Sequence, residues 1–334
     1  MTDLELRELT YFVAVAEELN FSRAAERLGM AQPPLSRAVR QMERRLGVQL
    51  FERNTRRVTL TAAGLTLLDE APRVFDAMSA AVHRTARAAS ASPTLVVTAK
   101  PGAPMDLLRR IVNSCTALPG TSRVEIVVSG YRQQAKMVRE GHADVALLSS
   151  PYDERGLDTH PLITEPRVAA LPVGHDLAHR DILRCRDLHG EPIPQWPESD
   201  PTERAYWSGR DRDFLTNGHI ESQPDLSEHG PVVSDITQLL EVVQLGQAVA
   251  LIPRFLAESN PRVGIAYRPV VDASPYTLVI VWAKGSRARS IFAFVSTAIT
   301  LTAHDESGNN DLPIEPEGNR ATRDSSEYSR NRSS

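Results

Sequence analysis

Ser36, Arg37, Arg40, Gln41 and Arg44 fall within nine residues and avoid the positions of Leu35, Val39, Met42 and Leu46, which recur at i, i+4, i+7 and i+11. On a helix the second set forms one apolar stripe and the first set takes the remaining faces. Arg, Gln and Ser are side chains that hydrogen-bond base edges and phosphates, and the major groove of B-DNA admits one helix. Gln32, at the start of the same stretch, is a further candidate for a base edge. Pro33 and Pro34 suit a first helical turn, where a missing N–H costs nothing. Downstream, Arg53, Thr55, Arg56 and Arg57 lie in a polar tip between two short apolar runs, Val48–Phe51 and Val58–Leu60. Arginines at a hairpin tip can follow phosphates or enter the minor groove. One exposed arginine is as often a plain solvated charge, so the clustering on both elements carries the reading.

These residues need elements to hold them. Leu6, Leu9, Phe12, Val13, Ala16 and Leu19 share one face of a 3.6-residue repeat, which predicts a first helix. A short second helix follows, with Ser22 as its expected N-cap and Gly29 ending it. Ser22 and Arg23, at its start, join the candidate DNA contacts. The helix Pro33–Leu46 comes after a turn, so the order is that of a helix-turn-helix. Beyond the hairpin, Thr61 is expected to cap a long helix over 62–89. Leu68, Phe75 and Val82 recur every seven residues in it, with Met78 in a second row, which is a seam for pairing with another chain. The competing reading is that the same face packs on its own body. Pro72 removes one backbone bond inside this helix.

The charge distribution agrees. The net charge is −4, but residues 21–61 hold nine Arg against three Glu, while residues 90–334 hold 25 basic and 31 acidic residues. A basic segment ahead of an acidic body suggests a nucleic-acid module joined to something else. Only three lysines occur, Lys100, Lys136 and Lys284. No apolar run reaches the roughly 18 residues of a membrane span. The acidic, amphipathic start is unlike a signal peptide, and two isolated cysteines, Cys115 and Cys185, form no disulfide framework. The expected location is the cytoplasm, with no membrane partner.

From residue 93 onward apolar strands alternate with helical patterns, the sign of parallel α/β units. Strands are expected at Thr94–Thr98, Val124–Val128, Asp144–Leu148, Val168–Pro172, Pro192–Trp196, Val249–Ile252 and Thr277–Trp282. Helices are expected at Met105–Thr116, Gln133–Glu140, Ser234–Leu245 and Ser290–Thr300. The chain is expected to visit a second lobe and return near Tyr267–Val270.

The run from Phe21 to Gly64, F-S-R-A-A-E-R-L-G-M-A-Q-P-P-L-S-R-A-V-R-Q-M-E-R-R-L-G-V-Q-L-F-E-R-N-T-R-R-V-T-L-T-A-A-G, resembles the DNA-binding domain of LysR-type transcriptional regulators. Looser similarity continues in E-G-H-A-D-V-A-L-L, E-P-R-V-A-A-L-P-V-G-H-D-L-A and L-L-E-V-V-Q-L-G-Q-A-V-A-L-I-P, so it covers about residues 3–302. It implies a multidomain α+β chain. The expected parts are a winged helix-turn-helix over 1–61, a dimerising linker helix over 62–89, and a two-lobed α/β effector domain over 90–302 that resembles periplasmic binding proteins. Lobe I would hold 93–170 and 269–302, and lobe II 171–268. The resemblance implies operator DNA and a small-molecule effector as partners, and self-association as a dimer or, by preference, a tetramer.

The effector is expected between the lobes, which agrees with ligands sitting at the carboxyl ends of strands in open α/β sheets. The loops there give Lys100, Pro101, Gly102, Ser129, Gly130, Ser149, Gln195, Trp196, Ser234 and Asp235 as candidate contacts. Small polar residues usually follow the first strand in this family, and Lys100-Pro101-Gly102 departs from that. The lysine, with Ser234 expected to cap a helix facing the cleft, points to a small organic anion. Asp235 argues the other way.

An enzyme or a solute-binding protein is the alternative. No nucleophile elbow, phosphate loop or dinucleotide fingerprint is present. His175 and His179 have a spacing that could hold a metal on a helix, but they lie just after the expected crossover, in a stretch typical of the family that carries no catalytic role, so neither catalytic residues, nor a metal, nor a cofactor are expected. Residues 303–334 hold few apolar side chains and cannot offset ordering entropy, so they are expected to be a disordered tail. Removing the tail is expected to leave melting temperature and operator binding unchanged; a fall of several degrees in a thermal melt would show that it docks on the body.

Overall fold

The computed structural model describes residues 4–53, 57–89, 94–117, 123–212 and 229–308. The first module consists of α1 (Leu6–Glu18), α2 (Phe21–Arg27), α3 (Gln32–Leu46) and the hairpin β1 (Phe51–Arg53) and β2 (Val58–Leu60). Leu9, Phe12, Leu35, Val39 and Met42 of the predicted stripes are buried in one small core together with Val15 and Leu50, while Leu19, expected on the same face, is exposed. The start of α2 departs from expectation. Asn20, not Ser22, is the N-cap, and its Oδ1 accepts from the N–H groups of Ser22 and Arg23. α4 (Ala62–Ala88) follows, and the Thr61 hydroxyl accepts from Gly64 N–H as the sequence suggested.

The body is built on a five-stranded sheet in the order β4 (Arg123–Val128), β3 (Thr94–Ala99), β5 (Val145–Ser149), β12 (Tyr276–Ala283), β6 (Leu157–Glu165). α5 (Met105–Thr116) and the last helix, α10 (Arg289–Gly308), cover one face through Leu108, Ile111 and Phe294. α6 (Gln133–Arg139) covers the other through Ala135 and Val138. Only β4, β3 and β5 are parallel; β12 runs against both neighbours because it returns from the second lobe.

That lobe centres on β7 (Arg167–Pro172), flanked by β10 (Ala250–Pro253) and β11 (Ile265–Pro269), both antiparallel to it. It also carries β8 (Ile193–Gln195), α7 (Pro201–Trp207), β9 (His229–Val232), α8 (Ile236–Gln244) and α9 (Arg254–Ser259). Since β7 pairs within this lobe, the chain crosses at Pro166 rather than after residue 170. The nine-residue β6 and the helix α7 were not anticipated. The last helix continues to Gly308 rather than ending at Thr300, past the expected start of the tail at 303, so a test of the tail cuts after Gly308; residues 309–334 lie outside the described residues.

Gly64 shows how tightly the linker helix is seated on the hairpin. A Cβ there would stand 2.2 Å from the Leu50 carbonyl oxygen and 2.9 Å from Leu60 Cδ2. Backbone cannot yield as a flexible side chain can, so Gly64→Ala is expected to cost about 1–3 kcal/mol, read as a lowered melting temperature of the full chain. An unchanged melt would mean that helix and hairpin are not packed as described.

Candidate functional site

Two places in the fold gather chemistry. The first is the outer face of α3 and the groove beside it. Arg37, Arg40, Gln41 and Arg44 line this groove together with Gly47, Val48 and Gln49, and all seven are exposed. Gln32 and Pro33 are exposed at the N-terminal end of α3. Ser36 is not on this surface: it is 8% exposed, on the buried side with Leu35. Arg23 is turned back onto α1, with its guanidinium on the Glu18 carbonyl at 2.6 Å and carboxylate at 3.3 Å. Arg53 is likewise engaged, paired with Glu43 at 2.6 Å and lying 4.9 Å over the Phe21 ring.

Glu43 was missed by the sequence reading. Its other oxygen accepts from the N–H groups of Leu50 and Phe51, so one carboxylate fastens α3 to the hairpin. Arg57 is exposed at the start of the second strand; Thr55 and Arg56 lie outside the described residues. On the linker helix, Met78 and Val82 are 48% and 54% exposed. Leu68 and Phe75 instead pack partly against the core of their own DNA-binding module.

The second place is the cleft between the lobes, where Lys100 follows β3. Its Nζ donates to Ser149 Oγ at 3.0 Å and stands 5.4, 5.9 and 6.0 Å from the ring centres of Tyr131, Trp207 and Tyr276. Burial pulls its pKa from the ordinary 10.5 down to about 8, against the opposing pull of the Glu203 carboxylate. Tyr131 reaches across the cleft mouth. Its hydroxyl donates to Glu203 of α7, accepts from Trp207 Nε1 at 3.1 Å, and its ring stacks on Trp196 at 4.2 Å. Burial, then the neighbouring Glu203, raises the Tyr131 pKa. Arg132 adds a pairing with Glu203 at 3.2 Å.

Of the candidate effector contacts, Lys100, Pro101, Gly102, Trp196, Ser234 and Asp235 line the cavity. Ser149 stands behind Lys100. Three others point elsewhere. Ser129 is buried against Thr98 and Gln134, Gly130 closes on Gln133, and the Gln195 amide bonds the Ile193 carbonyl. Ser234 does not cap the facing helix: Asp235 does, accepting from Gln238 N–H at 2.9 Å, so a carboxylate already occupies that helix end. The remaining wall was missed: Tyr131, Trp207, Phe255 and Tyr276, with Ile236 from α8. His175 accepts from Leu177 N–H in a 3-10 turn, and among the described residues no group of three or more His, Cys, Asp or Glu could hold a metal.

A helix-turn-helix with an arginine-lined outer face, joined by a long helix to two lobes around an aromatic cavity, defines a DNA-binding regulator with a ligand-sensing body. The family description "Bacterial regulatory helix-turn-helix protein, lysR family" matches residues 6–65, and "LysR substrate binding domain" matches residues 88–300. The Hca operon transcriptional activator HcaR of Escherichia coli is 31% identical over 294 residues, 88% of this chain and 96% of that one. The regulator BenM of Acinetobacter baylyi is 29% identical over 290 residues, 83% of this chain and 89% of its own. A crystal structure of full-length BenM superposes with a TM-score of 0.51 at 26% identity, covering 91% of this chain and 98% of that one. The fold is shared as well by the LysR-family regulator CbnR, with a TM-score of 0.50 at 24% identity over 90% and 99% of the two chains. The chain belongs to the LysR family of transcriptional regulators: it binds DNA and takes a small-molecule effector in its C-terminal domain.

The buried ammonium has a consequence for stability. Below pH 8 both folded and unfolded chains carry the Lys100 proton, and the folded chain bears the full cost of burying it. Between about 8 and 10.5 the unfolded chain binds more protons, so this contribution to stability rises with pH, by up to roughly 3 kcal/mol. Lys100→Met is therefore expected to raise the urea midpoint at pH 7 and to flatten its rise between pH 7 and pH 9.5. Equal midpoints for both proteins at pH 7 would place the ammonium in water.

Proposed function

We propose that α3 is the reading helix, with Arg37, Arg40 and Gln41 meeting base edges or adjacent phosphates and Gln32 a further base contact at its start. Arg44, Arg57 and the hairpin-tip residues Thr55 and Arg56 would hold the sugar-phosphate backbone. The observation that supports this most is the groove in which three arginines and Gln41 stand exposed while the apolar stripe of the same helix is buried. Ser22 stands exposed at the start of α2 as an additional phosphate contact, whereas Arg23 and Arg53 serve the module's own packing.

The proposed division is a DNA-binding module to residue 61, a linker helix to 89, and an effector domain beyond, with the lobes exchanging at Pro166 and again between residues 269 and 276. Two chains pair through the linker helices, where Met78 and Val82 leave apolar surface open; dimers of such pairs would give the tetramer. Among the described residues no helix is long and apolar enough to cross a membrane, and the cytoplasm is the proposed location. The effector enters the interlobe cleft as an anion held by Lys100. Binding favours one of two lobe arrangements and thereby changes how the paired DNA modules are held.

Arg40→Ala is expected to weaken binding to the chain's own upstream DNA by about 1–3 kcal/mol while changing random duplex binding less. Arg57→Ala is expected to weaken binding to both duplexes alike and to lower the salt slope by about one. Fluorescence anisotropy on labelled duplexes reads both. An Arg37→Ala/Arg40→Ala double variant with wild-type affinity would exclude α3 as the reading helix.

A further inference from the structure

The cleft lining narrows the chemistry of the effector, and hydrogen-bond counting shows how. Lys100 has three N–H donors and gives one to Ser149 Oγ. Ser149 accepts that bond, so its own hydroxyl proton remains a donor. The Tyr276 hydroxyl, on a residue only 1% exposed, faces Ser149 without closing a hydrogen bond of ordinary length. Buried donors without acceptors are costly, by an amount comparable to the loss of a hydrogen bond or more. Lys100 and Tyr276, with Ser149 behind them, thus gather donors and one positive charge at a single end of the cleft. The nearby Glu203 carboxylate attracts the ammonium but does not close a hydrogen bond with it: one oxygen accepts from the Tyr131 hydroxyl and the other faces Arg132 Nε at 3.2 Å. What answers them is a group of acceptors only, with two oxygens and a negative charge.

The other end is different. Beyond the Lys100 head the walls are the rings of Trp207, Phe255 and Tyr276 and the aliphatic side chains of Ile236 and Leu256. The centre of a water molecule can range over about 50 Å³ of this cavity, the room of roughly three to five waters, which a single small ring fills. Asp235 stands at the lobe II rim with its negative charge on the end of α8. A second carboxylate on the ligand would meet that charge, and the flat walls offer it no donor.

Resting on the reading of the cleft as the effector site, we infer that the effector is a small monocarboxylate with a flat, apolar body of about one ring, its carboxylate on Lys100 and Tyr276. Tyr276 and Trp207 then set specificity: the first for the head group, the second for the body. Amides, dicarboxylates and amino acids are discriminated against by the lack of charge, by Asp235 and by the cost of placing an ammonium among rings.

Benzoate is the simplest probe of this class. Calorimetry on the full chain, with benzamide, cyclohexanecarboxylate, terephthalate, succinate and phenylalanine beside it, tests each element separately. Benzoate is expected to saturate at millimolar concentration or below, with every other compound at least tenfold weaker. Tyr276→Phe is expected to keep its melting temperature and lose about 10- to 100-fold in benzoate affinity. Trp207→Leu is expected to bring benzoate and cyclohexanecarboxylate to equal affinity. Benzamide binding as tightly as benzoate would overturn the carboxylate head. Terephthalate, succinate or phenylalanine binding more tightly, and losing that binding in Lys100→Met, would overturn this effector class while leaving the cleft as the effector site. Benzoate affinity unchanged in Lys100→Met would overturn the cleft assignment itself, as would the absence of binding by every anion in the panel.

Discussion

A guanidinium with no exposure to water stands where the chain passes from one lobe to the other. Arg167 opens β7 immediately after Pro166. It donates to the Ser274 carbonyl at 2.6 Å and the Tyr206 carbonyl at 2.7 Å, and lies 3.9 Å from the Tyr206 ring centre with Asp211 at 3.7 Å. A charge taken out of water must be paired and hydrogen-bonded, or it destabilises the fold by several kcal/mol. Arg167 stands at the first crossing, and its partners come from the second crossing and from α7 and the residue Asp211 beyond it, so placing this one charge ties those segments together. α7 in turn carries Glu203 and Trp207, which hold Tyr131 of lobe I across the cleft mouth. The shape of the cavity therefore depends on an ion that is not part of its lining.

The cavity itself keeps an ammonium under strain of solvation. Burial of Lys100 is costly, and an anion in the cleft would relieve that cost; on the proposed reading, effector affinity is tied to the same burial that weakens the fold. The lobe that bears Lys100 also touches the linker helix. Arg87 of α4 pairs with Asp144 at 2.6 Å, Asp76 with Arg139 at 3.4 Å, and Gly141 leaves room for Ala80 where a Cβ would meet its Cα at 2.7 Å. These contacts join the lobe I end of the cleft to the helix that carries the DNA module, so a change of lobe arrangement has a rigid element to act upon.

The DNA-binding module was legible because its signals are local. The apolar stripe of α3, the prolines at its start and the cap at Thr61 each depend on residues within one or two turns. The errors there were also local. Asn20 outcompeted Ser22 as the cap, and Ser36 turned to the buried side because the stripe at Leu35 is wider than one residue. Glu43 looked like a surface charge, since nothing in the sequence shows that two hairpin N–H groups and Arg53 converge on it. The lobes were harder. β6 is interrupted by His160 and Pro161, which hide its period, and α7 begins at Pro201 in a stretch rich in charge. Lys100 stood out by rarity, but the rings around it come from positions 131, 207, 255 and 276, on separate elements, and no spacing rule could unite them.

The central claim is that a buried ammonium of lowered pKa stands in the proposed effector cleft, and lysine-selective NMR tests it most directly. With three lysines in the chain, carbon-13 labelling of the Cε positions gives three resolvable signals, and Lys100→Met identifies one of them. That signal is predicted to titrate with a midpoint of about 8 in the effector-free protein, and to move to higher pH once a carboxylate occupies the cleft. A Lys100 signal that titrates above pH 10 and ignores every added anion would contradict the account.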